Sequence, residues 1–240
     1  MQTTQKAYWV VDAGNTNIKI CRVENDQIFQ IEVFSNIEKG LSRLKNQDVI
    51  LVSVIKESIH DLLIEHCRSV FLIDHNHNLP FSSSYKSMET IGLDRLCNVA
   101  GMLKYAKNKS SLCIDIGTCV KFDFLAHGID YKGGAISPGI RLRYKSLNDY
   151  THKLPLLTEL ESLDIIGTDT KKSIISGVLN GLKAEIIGVI DRYEYELGPI
   201  QVYLTGGDAR YFDIPQKNNI FAVKNLTLEG AVEIYKINAL

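Results

Sequence analysis

From Tyr8 to Val11 the chain is apolar. It then breaks into Asp12-Ala13-Gly14-Asn15-Thr16-Asn17 and resumes as Ile18-Lys19-Ile20-Cys21-Arg22-Val23, with apolar and polar positions alternating. That pattern predicts a strand, a glycine-containing turn and a second strand joined as a hairpin. Half a chain later it returns. Ser111-Leu112-Cys113-Ile114 leads into Asp115-Ile116-Gly117-Thr118, and Cys119-Val120-Lys121-Phe122-Asp123-Phe124 follows. A repeated Asp-x-Gly hairpin at that distance predicts two related lobes with duplicated topology. Strand-like runs at Val49–Ile55, Ser69–Ile73 and Ile200–Leu204 are mixed with helical periodicity, so the expected class is α/β.

Two helices are predicted. From Leu93 onward, apolar positions 93, 96, 100 and 103 form one stripe; between Thr170 and about Leu197, Ile175, Val178, Leu182, Val189 and Tyr193 form another. Gly177, Gly181 and Gly188 lie inside the second helix, where each costs about 1 kcal/mol relative to Ala, so a closely packed neighbour is expected there. The polar stretch Lys107-Asn108-Lys109-Ser110 marks the lobe boundary, giving an N-terminal lobe over 1–107 and a C-terminal lobe over 108–240.

Composition narrows the partners. With 240 residues, 45% apolar and 23% charged, the chain is an ordinary globular one. A net charge of -1 supplies no field to draw nucleic acid or an anionic membrane, and neither is expected as a partner. Five cysteines without a CxxC pair argue against a zinc ribbon or redox motif and fit a reducing compartment. The N-terminus has no signal-peptide h-region before Asp12, and no apolar run approaches the roughly 20 residues of a membrane span, so a cytoplasmic protein is expected. The histidines form no ligand cluster and read as surface residues.

The turns carry the candidate chemistry. A glycine at a turn tip lets backbone N–H groups approach an anion, Thr and Asn add side-chain donors, and an Asp at the mouth can hold a cation beside a polyphosphate. Two facing hairpins of this kind would grip the phosphates of ATP. A third element, Val202-Tyr203-Leu204-Thr205-Gly206-Gly207-Asp208, is a strand delivering a double-glycine turn against which a planar ligand such as adenine can lie. The chain has no GxxxxGK[ST], no GxGxxG after a strand, no HExxH and no GxSxG, which removes P-loop, Rossmann, zinc-protease and α/β-hydrolase readings.

These segments resemble the type III pantothenate kinases. Asp12-Ala13-Gly14-Asn15-Thr16-Asn17-Ile18-Lys19 is similar to that family's DxGNTxxK, Gly92-Leu93-Asp94-Arg95 to its GxDR, and Asp115-Ile116-Gly117-Thr118 with Asp123 to its DxGTxxxxD. Gly133-Gly134-Ala135-Ile136-Ser137-Pro138-Gly139 resembles its GGxIxPG, and Thr205-Gly206-Gly207-Asp208 its TGGD. The resemblance implies the two-lobed actin-like fold, a duplicated ribonuclease H-like architecture with an ATP cleft between lobes. It also implies phosphorylation of pantothenate at the first step of coenzyme A synthesis, and a homodimer.

Residue by residue, the resemblance gives ATP binding to Asp12 through Lys19, Thr118, Gly206 and Gly207, with Asp12 placing the Mg²⁺ of Mg-ATP. Lys19 is read either as a phosphate neutraliser or as a solvated strand residue. Asp115 is expected to bind a monovalent cation, K⁺ or NH4⁺. Asp94 is expected to accept the hydroxyl proton, and Tyr85, Gly92, Leu93, Arg95 and Thr170 to contact pantothenate. Arg95 suits either the substrate carboxylate or a structural ion pair, and Thr170 either the substrate or a helix N-cap.

Cys119, Val120 and Lys121 depart from the small or hydroxyl residues common in the family. Cys119 reads as a small core residue. Lys121 brings a positive charge near the expected cation, where it either weakens or replaces the ion if it points into the cleft and changes nothing if it faces solvent. Two alternatives stay open: another small-molecule kinase of the superfamily, and a non-catalytic ATP-binding regulator.

Overall fold

The computed structural model describes residues 7–55, 59–160, 164–212 and 219–239. They form two compact units. The first comprises the chain up to Asn108, Gly128–Lys132, and the chain from Asn225 onward; the second comprises Lys109–His127 and Gly133–Lys224.

In the first unit the described elements are β1 (Tyr8–Ala13), β2 (Ile18–Glu24), β3 (Gln27–Phe34), α1 (Leu41–Leu44), β4 (Asp48–Ser53), α2 (Ile59–His66), β5 (Ser69–Leu72), β6 (Ser82–Ser83) and α3 (Leu93–Ala106). The sheet order is β3-β2-β1-β4-β5, with β1 antiparallel to β2 and parallel to β4. Alternation places Trp9, Val11, Ile18, Ile20, Val49 and Leu51 on one face, where they pack with Leu44, Ile59 and Leu63 of α1 and α2.

The second unit carries β7 (Ser111–Ile116), β8 (Cys119–Ala126), β9 (Asp130–Pro138), α4 (Ile140–Asp149), α5 (Thr170–Leu197), β10 (Gln201–Thr205) and β11 (Ile220–Ala222); α6 (Leu226–Asn238) follows. Its strands run β11-β10-β7-β8-β9, the order of the first sheet repeated element for element. The start of β9 groups with the first unit, where Asp130 and Tyr131 pair with Ser82 and Ser83 of β6. The duplicated α/β topology expected from the paired hairpins is therefore present.

Four expectations need correction. The C-terminal segment does not stay with the second lobe: α6 packs on α3 in the first unit. The cause is a glycine crossing. A Cβ on Gly230 would fall 1.6 Å from the Cys97 carbonyl oxygen, and one on Gly101 would fall 2.4 Å from that of Leu226, so the helix backbones touch. For the same reason α3 has no single apolar stripe. Every residue from Arg95 to Met102 is buried, and Thr227 Oγ1 donates to Asn98 Oδ1 at 2.7 Å across the interface.

Among the described residues of this chain nothing packs near Gly177, Gly181 or Gly188; all three are exposed, and a Cβ at any of them would meet no described atom within 4 Å, so the neighbour expected there is not supplied by these residues. Finally, α5 contains an 18-residue window of mean hydropathy 1.5, long and apolar enough to cross a bilayer by composition alone. Its Ile174, Ile175, Val178, Leu179, Leu182, Ile186 and Ile190 are instead buried in the core of the second unit.

Candidate active site

The first hairpin closes through a four-residue turn. Ala13 pairs with Ile18, Gly14 N donates to Asn17 O at 3.1 Å, and Asp12 stands opposite Lys19 in the β1–β2 register. Directly opposed residues of an antiparallel pair project from the same face, so the carboxylate and the ammonium share one side. The turn residues Gly14–Ile18 line a cavity of about 530 Å³ together with Ser35, Asn36, Ile37 and Glu38. Gly14 and Gly117 both have ordinary φ values, and a Cβ on Gly117 would meet nothing nearer than 3.9 Å. Neither turn needs glycine for its conformation; Gly117 leaves open space at its tip, whereas a Cβ on Gly14 would stand 3.2 Å from Asn17 O, a tight contact.

The second hairpin is tighter and covered. Ile116 pairs with Val120, Gly117 N donates to Cys119 O at 3.0 Å, and Asp115 stands opposite Lys121. Here the ion pair is made: Lys121 Nζ lies 2.7 Å from Asp115 Oδ2. Gly139 sits over the turn, its N donating to Thr118 O at 3.0 Å, and a Cβ on it would stand 2.0 Å from Gly117 O.

The Thr205–Asp208 turn also docks on this hairpin. Asp208 N donates to Ile116 O at 2.9 Å, and Gly206, at φ 96°, is so close that a Cβ would come within 2.5 Å of Asp115 Oδ1. No L side chain fits Gly206, on grounds of both conformation and space. Asp208 is buried, and its Oδ2 has no hydrogen-bond partner among the described residues; Arg141 Nη1 is 3.7 Å away. Burial raises its pKa, with Arg141 and Arg210 opposing.

The resemblance expects K⁺ or NH4⁺ at Asp115. A carboxylate already bridged by an ammonium does not fit that expectation, because two like unit charges about 4 Å apart repel by roughly 4 kcal/mol at an effective dielectric of about 20. Asp12 suits Mg-ATP better. It is half-buried beside an open cavity, and Mg²⁺ typically takes one or two carboxylates and leaves its other positions to phosphate and water. Among the described residues, no group of three or more His, Cys, Asp or Glu is placed to cage a metal.

Gly92-Leu93-Asp94-Arg95 opens α3. Gly92 is the N-cap, and Asp94 Oδ1 accepts from Arg95 N at 2.9 Å; a Cβ on Gly92 would fall 2.5 Å from that oxygen, so the glycine makes room for the carboxylate. Arg95 is 5% exposed, and its Nη2 donates to Tyr131 OH at 3.0 Å. The Tyr85 ring stacks on Tyr131, with centroids 6.0 Å apart and planes at 24°. Tyr131 belongs to none of the motifs in the sequence. Its one signal was its position two residues before Gly133-Gly134, and only folding brings it between Tyr85 and Arg95.

Thr170 is the first residue of α5 and lines a groove of about 680 Å³ with Arg143, Leu154, Ser173, Gly177 and Val178, apart from the hairpin and the Gly206 turn. It is not the N-cap. Asp169 is, its Oδ1 accepting from Lys172 N at 2.8 Å, so the structural reason offered for Thr170 falls away.

Two related sheets whose five main strands share one order, each opening with an Asp-x-Gly hairpin, define the duplicated α/β fold of the actin-like class. Solved structures agree at the level of fold. A Baf family transcriptional activator from Campylobacter jejuni aligns over 96% of this chain and 98% of its own at 24% identity and a TM-score of 0.62. A 2-dehydro-3-deoxygalactonokinase from Sinorhizobium meliloti aligns over 97% and 100% at 13% identity and a TM-score of 0.57. The sequence profile of type III pantothenate kinases matches residues 8–192, and the type III pantothenate kinase of Flavobacterium johnsoniae is 39% identical over 236 residues, covering 94% of this chain and 96% of that one. The chain belongs to the type III pantothenate kinase family.

Proposed function

We propose that this protein is an ATP-dependent pantothenate kinase, transferring the γ-phosphoryl group to the primary hydroxyl of pantothenate at the entry to coenzyme A synthesis in the cytoplasm. The observation that carries the reading is the opening of α3: the Asp94 carboxylate sits beside a buried Arg95 held by Tyr131, with Tyr85 stacked alongside.

Phosphoryl transfer passes through a loose transition state, so positioning and charge neutralisation do most of the work. Asp94 orients the hydroxyl and takes up its proton as the O–P bond forms and ADP leaves. Arg95, with a planar fork of donors, meets the pantothenate carboxylate, and Tyr85 packs on the substrate. Gly14–Thr16 and Thr118 donate to phosphate oxygens, Lys19 offsets their charge, and Gly206 and Gly207 face the nucleoside. Asp12 would hold the Mg²⁺ of Mg-ATP, which would supply neutralising charge at the phosphates. The test is ADP release from ATP with pantothenate against a panel of sugars, glycerol and acetate. Turnover confined to pantothenate is expected, and turnover of another acceptor instead rejects the reading.

We further propose a homodimer through the exposed face of α5, where Gly177, Gly181 and Gly188 leave room for a partner helix. Thr170 would then serve the partner's substrate site. Co-expressed Asp94→Asn and Thr170→Ala chains should regain activity in mixed dimers, because one of the two shared sites is then wild type. If mixing restores nothing, the sharing is wrong.

A further inference from the structure

The carboxylate of the second hairpin carries its own counter-ion. Asp115 is 8% exposed, and Lys121 reaches it from the facing position of the β7–β8 pair, with Nζ 2.7 Å from Oδ2. Both side chains are largely withdrawn from solvent, at 12% for Asp115 and 16% for Lys121. Gly206 lies against the other carboxylate oxygen, so the pair is roofed as well as bridged. One pleat along the same face, opposite Cys113, the fully buried Asp123 adds a second carboxylate. The lysine thus lies inside a local concentration of negative charge and not on the solvent side of its strand.

We infer that Lys121 is a built-in monovalent cation: its ammonium occupies the place beside Asp115 that a free K⁺ or NH4⁺ would take, so catalysis is independent of added monovalent ion. The inference rests on the kinase reading above. A lysine head is a compact ammonium with the charge of NH4⁺, so the chemistry of the substitution is matched. Held on the neighbouring strand, it competes with any free ion at a high effective concentration. A second cation at the same carboxylate would be opposed by the first in a partly desolvated setting. Lys121 acts through Asp115 and is a positioning residue.

The test compares wild type and Lys121→Thr in choline, sodium, potassium and ammonium chlorides at one ionic strength, with ATP and pantothenate. The wild type should turn over equally in all four. Lys121→Thr should lose on the order of 10²-fold in choline chloride, the scale of removing one preorganised charge-stabilising group, and recover with K⁺ or NH4⁺. A lysine with a merely structural role would give no ion-specific rescue. Binding of Tl⁺, a K⁺ surrogate, is followed in parallel by thallium NMR line broadening in the presence of Mg-ATP; broadening is expected with the variant and not with the wild type. Activation of the wild type by K⁺, or Tl⁺ binding to it, overturns the inference. If pantothenate is not turned over in any salt, the proposed function fails, while the Tl⁺ measurement still decides this point. Should Lys121→Thr fail to fold, the wild-type arms decide it alone.

Discussion

In the first hairpin, four residues from Gly14 to Asn17 close a turn in front of a cavity of about 530 Å³, and Asp12 is half-buried. In the second, three residues from Gly117 to Cys119 close a turn whose carbonyls lie under Gly139 and whose aspartate lies under Gly206. Both hairpins set an Asp opposite a Lys in the same register. What differs is the cover, and it comes from segments far along the chain. Glycine therefore does two jobs here. At 117 it leaves a turn tip open, whereas at 134, 139 and 206 it lets one backbone lie on another.

The largest expected effect separates chemistry from both hairpins. Asp94→Asn should keep the fold and ATP affinity yet lose roughly 10²–10⁴-fold in turnover, the range of a positioned acid–base group. Single-turnover kinetics and ATP titration check it, and near-normal turnover would leave Asp94 a structural first-turn residue of α3.

Next come the glycines themselves. A Cβ on Gly139 meets carbonyl oxygens at 2.0 and 2.6 Å, and one on Gly134 meets Phe122 O at 1.6 Å, contacts that only backbone movement relieves. Gly139→Ala and Gly134→Ala should each cost roughly 3 kcal/mol, the upper range of overpacking. Gly117→Ala should cost no more than about 0.5 kcal/mol, as for a surface change, while raising the KM for ATP. Urea midpoints set beside KM values would break the comparison if all three glycines behaved alike.

A smaller effect is expected at Asp208, whose backbone N–H docks on the second hairpin and whose carboxylate faces Arg141. Burial holds its carboxyl above the ordinary range, so the folded protein binds this proton more tightly than the unfolded chain. Its contribution to stability therefore falls as pH rises from the ordinary carboxylate range through the raised folded value. Asp208→Asn should raise the Tm at neutral pH and flatten that dependence; thermal melts across pH show whether it does.

The smallest signal is thiol reactivity. Burial pushes Cys21 up to about 12, and Cys97 and Cys113 well above their usual value. A thiol reagent near neutral pH should label Cys67 and Cys119 at most in the native protein, and all five cysteines after denaturation. Mg-ATP should slow labelling of Cys119, which adjoins Thr118 in the turn; no slowing would count against that turn as a phosphate contact.

Much of this was legible before folding. In both hairpins an apolar run, an Asp-x-Gly turn and a second strand mark the element, and their strand limits hold to within a residue or two. The limits of α5 were readable too, because a long apolar repeat ends at Gly198. The one-sided stripe assigned to α3 failed because a helix packed on both a sheet and another helix has no polar face to reveal its period. Threonine suits a helix N-cap, so Thr170 reads as one from sequence; Asp169, one residue earlier, takes the position.

By itself the sequence determined the paired Asp-x-Gly turns, the strands that deliver them and the Gly92–Arg95 segment, because each is local chain chemistry read over fewer than about ten residues. Tertiary structure alone decided that Lys121 turns in to Asp115, that Tyr131 joins Tyr85 to Arg95, and that α6 returns to α3 through Gly101 and Gly230. These contacts join residues brought together by strand register and close backbone packing, which no local periodicity encodes.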